Sequence, residues 1–179
     1  MPHIHTEPGQ HDHTTSAYIV RLDREEPEVL FHMHRKVHKL MQPGGHIELN
    51  ENPWDSIKHE LIEETGYELS QLYVVQPKFK KIDSLTGGEV HPYPLVHSTH
   101  AYGDLDHYHT DSGYLFVTYE DPKGVPAEGE TNDFHWLIEK ELKELPDDVV
   151  NKSSAEVALF ALEALKSEDW IASTKSVLT

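Results

Sequence analysis

The 179-residue sequence contains no cysteine, no apolar run long enough for a membrane span, and fewer than half as many basic as acidic residues. The lack of cysteine excludes disulfides and thiolate metal sites, and it fits a reducing compartment. The N-terminal stretch MPHIHTEPGQHDHTT lacks the apolar segment of a signal peptide, so we expect a cytoplasmic protein without membrane spans. The formal net charge of −17 would repel nucleic acids and anionic membranes, so neither is expected as a partner.

The order of the sequence patterns predicts one α/β domain over residues 14–179 after a flexible arm of residues 1–13. Strands are predicted at 16–22, 28–34, 72–82, 89–96 and 113–120. Helices are predicted at 52–65 and 153–167, and a strand that continues into a short helix is predicted at 133–145. Ser153 and Glu156 have the spacing of a capping box at the start of the last helix.

The helix predicted at 52–65 has clear start and stop signals. Asn52 is a suitable N-cap, Pro53 suits the first helical position, and Gly66 is suited to a left-handed C-terminal residue. An apolar stripe predicts the face that packs on a sheet, formed by Trp54, Ile57 and Leu61.

Three glutamates, Glu60, Glu63 and Glu64, lie within five positions near the end of this helix. At about 100° per residue they fall within one arc of roughly 100°, beside the apolar stripe. Like charges this close repel each other, and a bound divalent cation would offset that repulsion. Carboxylate oxygens suit a hard ion such as Mg²⁺ or Mn²⁺. The alternative is an ordinary solvated acidic face on a very acidic protein.

The segment from Gly45 to Tyr67 resembles the Nudix box, written G-x5-E-x7-R-E-U-x-E-E-x-G-U with U aliphatic. The matching residues are Gly45, Glu51, Glu60, Leu61, Glu63, Glu64 and Gly66. Two positions depart from the pattern, because His59 replaces the arginine and Tyr67 replaces an aliphatic residue. As an order of elements, the resemblance extends more weakly over residues 14 to 165.

The resemblance implies a Nudix-type α/β/α sandwich with a mixed β-sheet. It also implies hydrolysis of a diphosphate linked to another moiety, usually a nucleoside, with Mg²⁺ or Mn²⁺ as cofactor, and it allows a homodimer. The implied metal ligands are the carboxylates of Glu60, Glu63 and Glu64 and the carbonyl of Gly44. Glu60 and Glu63 are also expected to act in catalysis, with Glu63 either a ligand or a base.

The resemblance gives supporting roles to two residues behind these ligands. Glu51 is expected to act as a structural group, and His59 to replace the arginine that orients the glutamates. His59 can donate a hydrogen bond to Glu63, four residues on, but it carries a full charge only at lower pH. We therefore expect weakened or pH-dependent activity.

Many members of the family use a further acid from a loop outside the box. The candidates here precede Trp136, and they are Glu128, Glu130 and Asp133. Glu130 is preferred, although a solvated loop acid is an equally good interpretation. Residues 83–112 are rich in Gly, His, Tyr and Pro and are predicted to form a loop that recognises the substrate.

The sequence contains 15 histidines, and three of them are candidates for the pocket. His107 and His109 would share one face of an extended segment, with Asp111 in the same phase. His46 directly follows the two glycines of the box. We predict that His46, His107 and His109 line the substrate pocket, where they contact phosphate or bind a second metal. The alternative is a set of ordinary surface or hydrogen-bonded histidines.

The sequence allows three alternatives to hydrolysis. An isomerase of the isopentenyl diphosphate type shares the fold but needs a catalytic cysteine, which this chain lacks. A weak or inactive protein that binds a nucleotide as a sensor is supported only by His59. A metal-binding protein that uses the histidines is the third.

Overall fold

A computed structural model describes residues 7, 9–79, 82, 84–102 and 107–172. Within them the strands are β1 His11–Arg21, β2 Glu28–Met33, β3 Leu40–Met41, β4 Gly44–His46, β5 Tyr73–Pro77, β6 Val96–Tyr102, β7 His107–Thr118, β8 Phe134–Ile138 and β9 Trp170–Ala172. The α-helices are α1 Pro53–Glu60, α2 Glu139–Glu144 and α3 Lys152–Lys166. In the described part of the chain, each helix is too short or too polar to cross a bilayer.

The sheet is mixed, and β1 lies at its centre. β1 pairs in parallel with β7 along its whole length and antiparallel with β2 and β4. The strand order is β3-β2-β1-β7-β5-β9, with β4, β6 and β8 pairing to β1, β7 and β2. The first two predicted strands therefore form an antiparallel pair in the structure.

Helices cover both faces of this sheet, as the α/β/α prediction requires. On one face, α1 contributes Trp54 and Ile57 to a core with Ile19 and Phe116. On the other face, α3 packs its alanines against alternate residues of the same strands, such as Val20. Successive residues of a strand point to opposite faces, so the two cores share the strands without sharing side chains. The predicted fold class is confirmed.

The first strand begins at His11, five residues earlier than the sequence predicts. Its parallel register with β7 runs from His11 opposite Tyr108 to Arg21 opposite Thr118. Residues 11–13, which the sequence predicts as part of the flexible arm, therefore belong to the sheet. The segment is polar, and its pairing partner lies almost 100 residues away, so no local pattern indicates that it is a strand. Residues 1–6 and 8 of the predicted arm lie outside the described residues.

The strand predicted at 89–96 is wrong, because strand structure begins only at Val96. Pro92 and Pro94 lack the N–H groups that a ladder needs. The loop predicted at 83–112 is also largely wrong, because most of its second half is strand. β6 and β7 pair antiparallel, from Tyr102 opposite His107 to Val96 opposite Gly113. Residues 83 and 103–106 of that prediction lie outside the described residues.

Candidate active site

The helix of the box begins as predicted but does not keep α-helical geometry to its end. The Asn52 side chain accepts hydrogen bonds from the N–H groups of Trp54 and Asp55, both at 2.9 Å. After α1 ends at Glu60, the chain continues as a π-helical turn over Leu61–Thr65. Gly66 then ends the helix with φ +73°, as predicted. The 100° spacing assumed for the three glutamates therefore does not extend beyond Glu60.

Glu60 lies buried under the strand that precedes the helix. The residue is only 4% exposed. A Cβ on Gly45 would lie 2.2 Å from its Oε1 atom, so only glycine leaves room for the carboxylate. The first glycine of the box and its first helical glutamate thus form one packing unit.

Glu64 lies beside the neighbouring glycine. The backbone N–H of Gly44 donates a hydrogen bond of 2.7 Å to Glu64 Oε2. The same oxygen lies 3.8 Å from Nε2 of His32, a buried histidine of β2. Burial lowers the pKa of His32 to about 4, so its ring is neutral at pH 7. The structure thus brings Glu60 and Glu64 to adjacent residues of β4.

His59 connects the remaining two glutamates of the box. Its Nδ1 atom lies 3.2 Å from Glu51 Oε1, and its Nε2 atom lies 2.9 Å from Glu63 Oε1. Burial lowers the pKa of His59, but the hydrogen bond to Glu63 and the nearby carboxylate charges outweigh this, and the net pKa is raised. The imidazole therefore bridges the glutamates from the position where the Nudix box has arginine.

Burial makes the two inner carboxylates of the site, Glu60 and Glu64, weaker acids than an exposed glutamate. From an ordinary value of 4.5, burial raises the pKa of Glu60 to about 7 and that of Glu64 to about 8. The hydrogen bond from Gly44 opposes the shift at Glu64, while the negative charges of Glu60 and Glu130 add to it. Two buried carboxylates that resist ionisation are typical of a functional site and favour a cation between them.

The raised pKa values predict that the metal-free protein loses stability as pH rises. Protonated Glu60 and Glu64 contribute stability that is complete below pH 4.5 and lost as pH passes 7 to 8. The cost for Glu64 is on the order of a few kcal/mol, or about 5–10 °C in Tm. Thermal melts in EDTA from pH 5 to 8 measure it. Glu64→Gln should flatten the decline, and an identical decline in wild type and variant would contradict the prediction.

A loop after β7 brings Glu130 to the same place. The N–H of Gly124 donates to the Gly66 carbonyl at 3.0 Å, and that of Ala127 donates to the Glu63 carbonyl at 2.7 Å. These two bonds attach the loop to the end of the box helix, and Glu130 follows three residues later. Glu130 lies close enough to influence the pKa of both inner glutamates.

Glu64 and Glu130 line a cleft of about 420 Å³. Its other lining residues are His32, Met33, His34, Arg35, Lys36 and Thr131. Sequence reasoning missed the two cations, Arg35 and Lys36, although they stand out in the segment HRKVHK just before the box. In a protein of net charge −17, cations beside the buried carboxylates provide a local attraction for phosphate.

The three predicted histidines come together, but in another place. His46 and His109 pack edge to face with ring centroids 5.0 Å apart, and His107 lies 5.4 Å from His109. His107 and His109 share a face of β7, as the sequence predicts. Among the described residues that line the cleft beside Glu64, none is one of these three. Their contact with substrate stays a prediction.

Tyr67, the second departure from the box pattern, is buried in the core with its hydroxyl group hydrogen-bonded. It is 1% exposed, and its hydroxyl donates a 2.8 Å hydrogen bond to the Glu120 carbonyl. Its ring lies in the core that α1 forms with the sheet. The aromatic residue therefore takes the aliphatic position because its polar atom reaches a backbone acceptor at the edge of that core.

The structure resembles solved Nudix proteins over most of its length. A Nudix hydrolase from Clostridium perfringens is 28% identical, with a TM-score of 0.65 and coverage of 86% of this chain and 97% of that one. An Ap4A hydrolase from C. elegans is 17% identical (TM-score 0.60, coverage 87% and 97%). The Nudix domain of Shewanella oneidensis NrtR, solved with ADP ribose, is 11% identical (TM-score 0.57, coverage 90% and 90%).

The sequence can also be compared with curated proteins and with models of protein families. Among curated proteins, none matches this sequence significantly. The family model of the NUDIX domain matches residues 12–160, from the second residue of β1 to the middle of α3. The match includes the box, the cleft and the histidines. The chain therefore belongs to the Nudix family of pyrophosphohydrolases.

Proposed function

We propose that this protein hydrolyses a diphosphate linkage in a nucleoside diphosphate derivative, with Mg²⁺ or Mn²⁺ as its cofactor. The observation that carries the proposal is the convergence of Glu60 and Glu64 on adjacent glycines of β4, with Glu60 buried and the Glu64 side chain only 13% exposed. Two neighbouring carboxylates that are largely removed from solvent are costly to ionise unless a cation compensates their charge. The cleft with Arg35 and Lys36 opens beside Glu64.

The residues present fit a hard divalent ion. Glu60 Oε1 is buried and accepts no hydrogen bond from the described residues, so it has a lone pair free for a ligand. Glu60, Glu63, Glu64 and the Gly44 carbonyl would hold the ion through oxygen atoms, which Mg²⁺ and Mn²⁺ prefer. When bound, it would neutralise phosphate charge and make a water more acidic.

The side chains around the ligands have separate tasks in this proposal. Arg35 and Lys36 bind phosphate oxygens at the mouth of the cleft and orient the linkage. Glu130 accepts a proton from the attacking water, or holds that water in line. His59 fixes the carboxylate of Glu63, which serves as a ligand or as an alternative base.

The leaving moiety is proposed to be a nucleoside derivative. The Ap4A hydrolase and the NrtR domain share only the fold with this chain, but their names identify nucleotide ligands that the same scaffold accommodates. A screen should therefore include ADP-ribose, Ap4A and nucleotide sugars with Mg²⁺ or Mn²⁺. Hydrolysis is detected by adding a phosphatase, which releases phosphate from the terminal phosphate groups of the products but not from the intact diphosphate linkage of the substrate. Binding of nucleotides without product would indicate the sensor alternative and overturn hydrolysis.

We predict that His59 is needed for full activity and limits it at high pH. His59→Ala removes the bridge between Glu51 and Glu63 and should lower kcat/KM by about 10–100-fold. The pKa of His59 is raised, so its charge persists to higher pH than that of a free imidazole, and His59→Arg should retain activity above the pH at which the wild-type imidazole loses its charge. The pH profile of kcat/KM for the three proteins measures this.

His135→Ala is the matched control for His59. His135 has the same 40% exposure and also pairs with an acid, Asp133, at 3.0 Å, yet it lies outside the box. Its loss should leave kcat/KM within about twofold of wild type. Equal activity of the His59→Ala and His135→Ala proteins would show that the bridge has no role.

A further inference from the structure

Three strands bring one acid and three histidines together on the face of the sheet opposite the box glutamates. Asp12 of β1 lies directly opposite His109 of β7 in the parallel register, and His107 lies two residues earlier on the same face. His46 ends β4 opposite Thr14, two residues beyond Asp12. We call these four residues, Asp12, His46, His107 and His109, the Asp12–His cluster.

The cluster is enclosed by protein. Asp12 is 1% exposed, His107 0% and His109 7%. The side chain of His46 is 12% exposed. So little exposed surface leaves no room for a phosphate ester to contact all three rings, whereas a single ion needs only one atom from each side chain. Burial thus separates the two roles that the sequence left open for these histidines.

The distances within the cluster suit a small ion. Asp12 Oδ2 lies 3.6 Å from His46 Nε2 and 4.0 Å from His107 Nε2. Ligand atoms of Asp12, His107 and His109 all lie within 4.8 Å of one another. A tetrahedral ion with bonds of about 2.0–2.2 Å has ligand atoms about 3.4 Å apart. Small side-chain rotations would therefore bring the ligand atoms of Asp12, His107 and His109 onto one centre. His46, whose Nε2 atom lies 3.6 Å from Asp12 Oδ2, is the candidate fourth ligand.

The cluster is also separate from the carboxylate site. Asp12 shares the alternation of Tyr18 and Val20, whose side chains pack in the core with α3. The box helix packs on the opposite face, against Ala17 and Ile19. Glu60 contacts Gly45, one residue before His46, so the two sites are close along β4 but lie on different faces of the sheet.

We propose that the Asp12–His cluster binds one borderline divalent transition metal ion, of which Zn²⁺ is the representative. Three imidazoles and one carboxylate form a four-ligand set typical of zinc, whereas the all-oxygen set of the box prefers Mg²⁺ or Mn²⁺. A bound cation compensates the buried charge of Asp12. It also ties the start of β1 and β7 to His46, and so braces the loop that leads into the box.

The test is zinc binding by the untagged, metal-stripped protein. Competition with a chromophoric chelator should show one Zn²⁺ bound per chain, and binding should raise Tm. Co²⁺ in its place should give the intense visible absorption of a tetrahedral site. His46→Ala and His109→Ala should each weaken zinc affinity by about 10–100-fold or more, and should abolish the Tm shift.

Two controls separate this site from other histidines and from the box. His135→Ala removes an exposed histidine and should bind zinc as the wild type does. Glu64→Gln should lose the Mg²⁺ effect on hydrolysis but keep one tight Zn²⁺. Asp12→Asn retains the shape of the side chain and serves if an alanine variant does not fold. A wild-type protein that binds no stoichiometric zinc, or variants that bind it unchanged, would show that the cluster is an acid–imidazole network only.

Discussion

Glutamine in place of Glu64 is expected to abolish diphosphate hydrolysis, with kcat/KM falling at least about 10³-fold. The amide oxygen can still accept the hydrogen bond that the Gly44 N–H donates at 2.7 Å. The negative charge is lost, however, and a hard divalent ion binds a neutral amide far less tightly than a carboxylate. Activity at saturating Mg²⁺ and at saturating Mn²⁺ measures the effect.

The same variant should be more stable than the wild type when no metal is present. Burial raises the pKa of Glu64 to about 8, so at higher pH the folded protein bears the cost of a buried charge that glutamine does not carry. Loss of activity together with a gain in metal-free Tm at pH 8 identifies a group kept for function. A variant that lost activity because it misfolded would instead melt at a lower temperature.

Glu156→Gln provides the matched control for this substitution. Glu156 is an exposed residue of α3, on the far side of the sheet from the box. The same loss of one charge there should leave kcat/KM and Tm close to wild type. If Glu64→Gln retained more than about a tenth of wild-type activity, the box would not be the hydrolytic site.

The spacing of the box made the site predictable, because its contacts are mostly local. Gly45 and Glu60, and Gly44 and Glu64, lie 15 and 20 residues apart along one loop–helix segment. The contact of His59 with Glu63 also follows from helical spacing. The cleft was less predictable, since Arg35 and Lys36 reach it through the pairing of β2 with distant strands.

Long-range pairing also explains the errors in the strands. The parallel partnership of β1 and β7 joins residues almost 100 positions apart, and no local pattern shows where it begins. It carries β1 back to His11, and it brings Asp12 beside the two histidines of β7. The sequence therefore predicted which histidines share a face but not the acid that joins them. The capping box at Ser153 failed for a simpler reason, because Asn151 accepts from the Ser154 N–H and caps α3 itself.

Gly45→Ala is expected to lower activity with little effect on stability, whereas Gly44→Ala is expected to lower stability. A Cβ at Gly45 would meet the carboxylate of Glu60 at 2.2 Å, and a carboxylate at the end of a flexible side chain can rotate away. Gly45→Ala should therefore melt within about 2 °C of wild type, while displacement of Glu60 lowers kcat/KM by about 10²-fold.

At Gly44 the new atom would meet backbone instead. A Cβ there would lie 2.1 Å from the Thr15 carbonyl oxygen and 2.8 Å from the Ser16 Cα, and φ is +147°. Neither atom can move unless β1 and β4 separate. Gly44→Ala should therefore cost about 3 kcal/mol or more, which corresponds to a fall in Tm of about 6–12 °C for a chain of this size.

Thermal melts and kinetics on the two alanine variants together test whether the glycines play these different parts. Gly45 leaves room for a buried carboxylate, whereas Gly44 allows two strands to approach. Saturating Mg²⁺ should raise the Tm of the wild type more than that of Gly45→Ala, in which the Glu60 carboxylate is displaced. If Gly45→Ala melted as early as Gly44→Ala, its clash would lie in the backbone, and Glu60 would not occupy the space that this glycine provides.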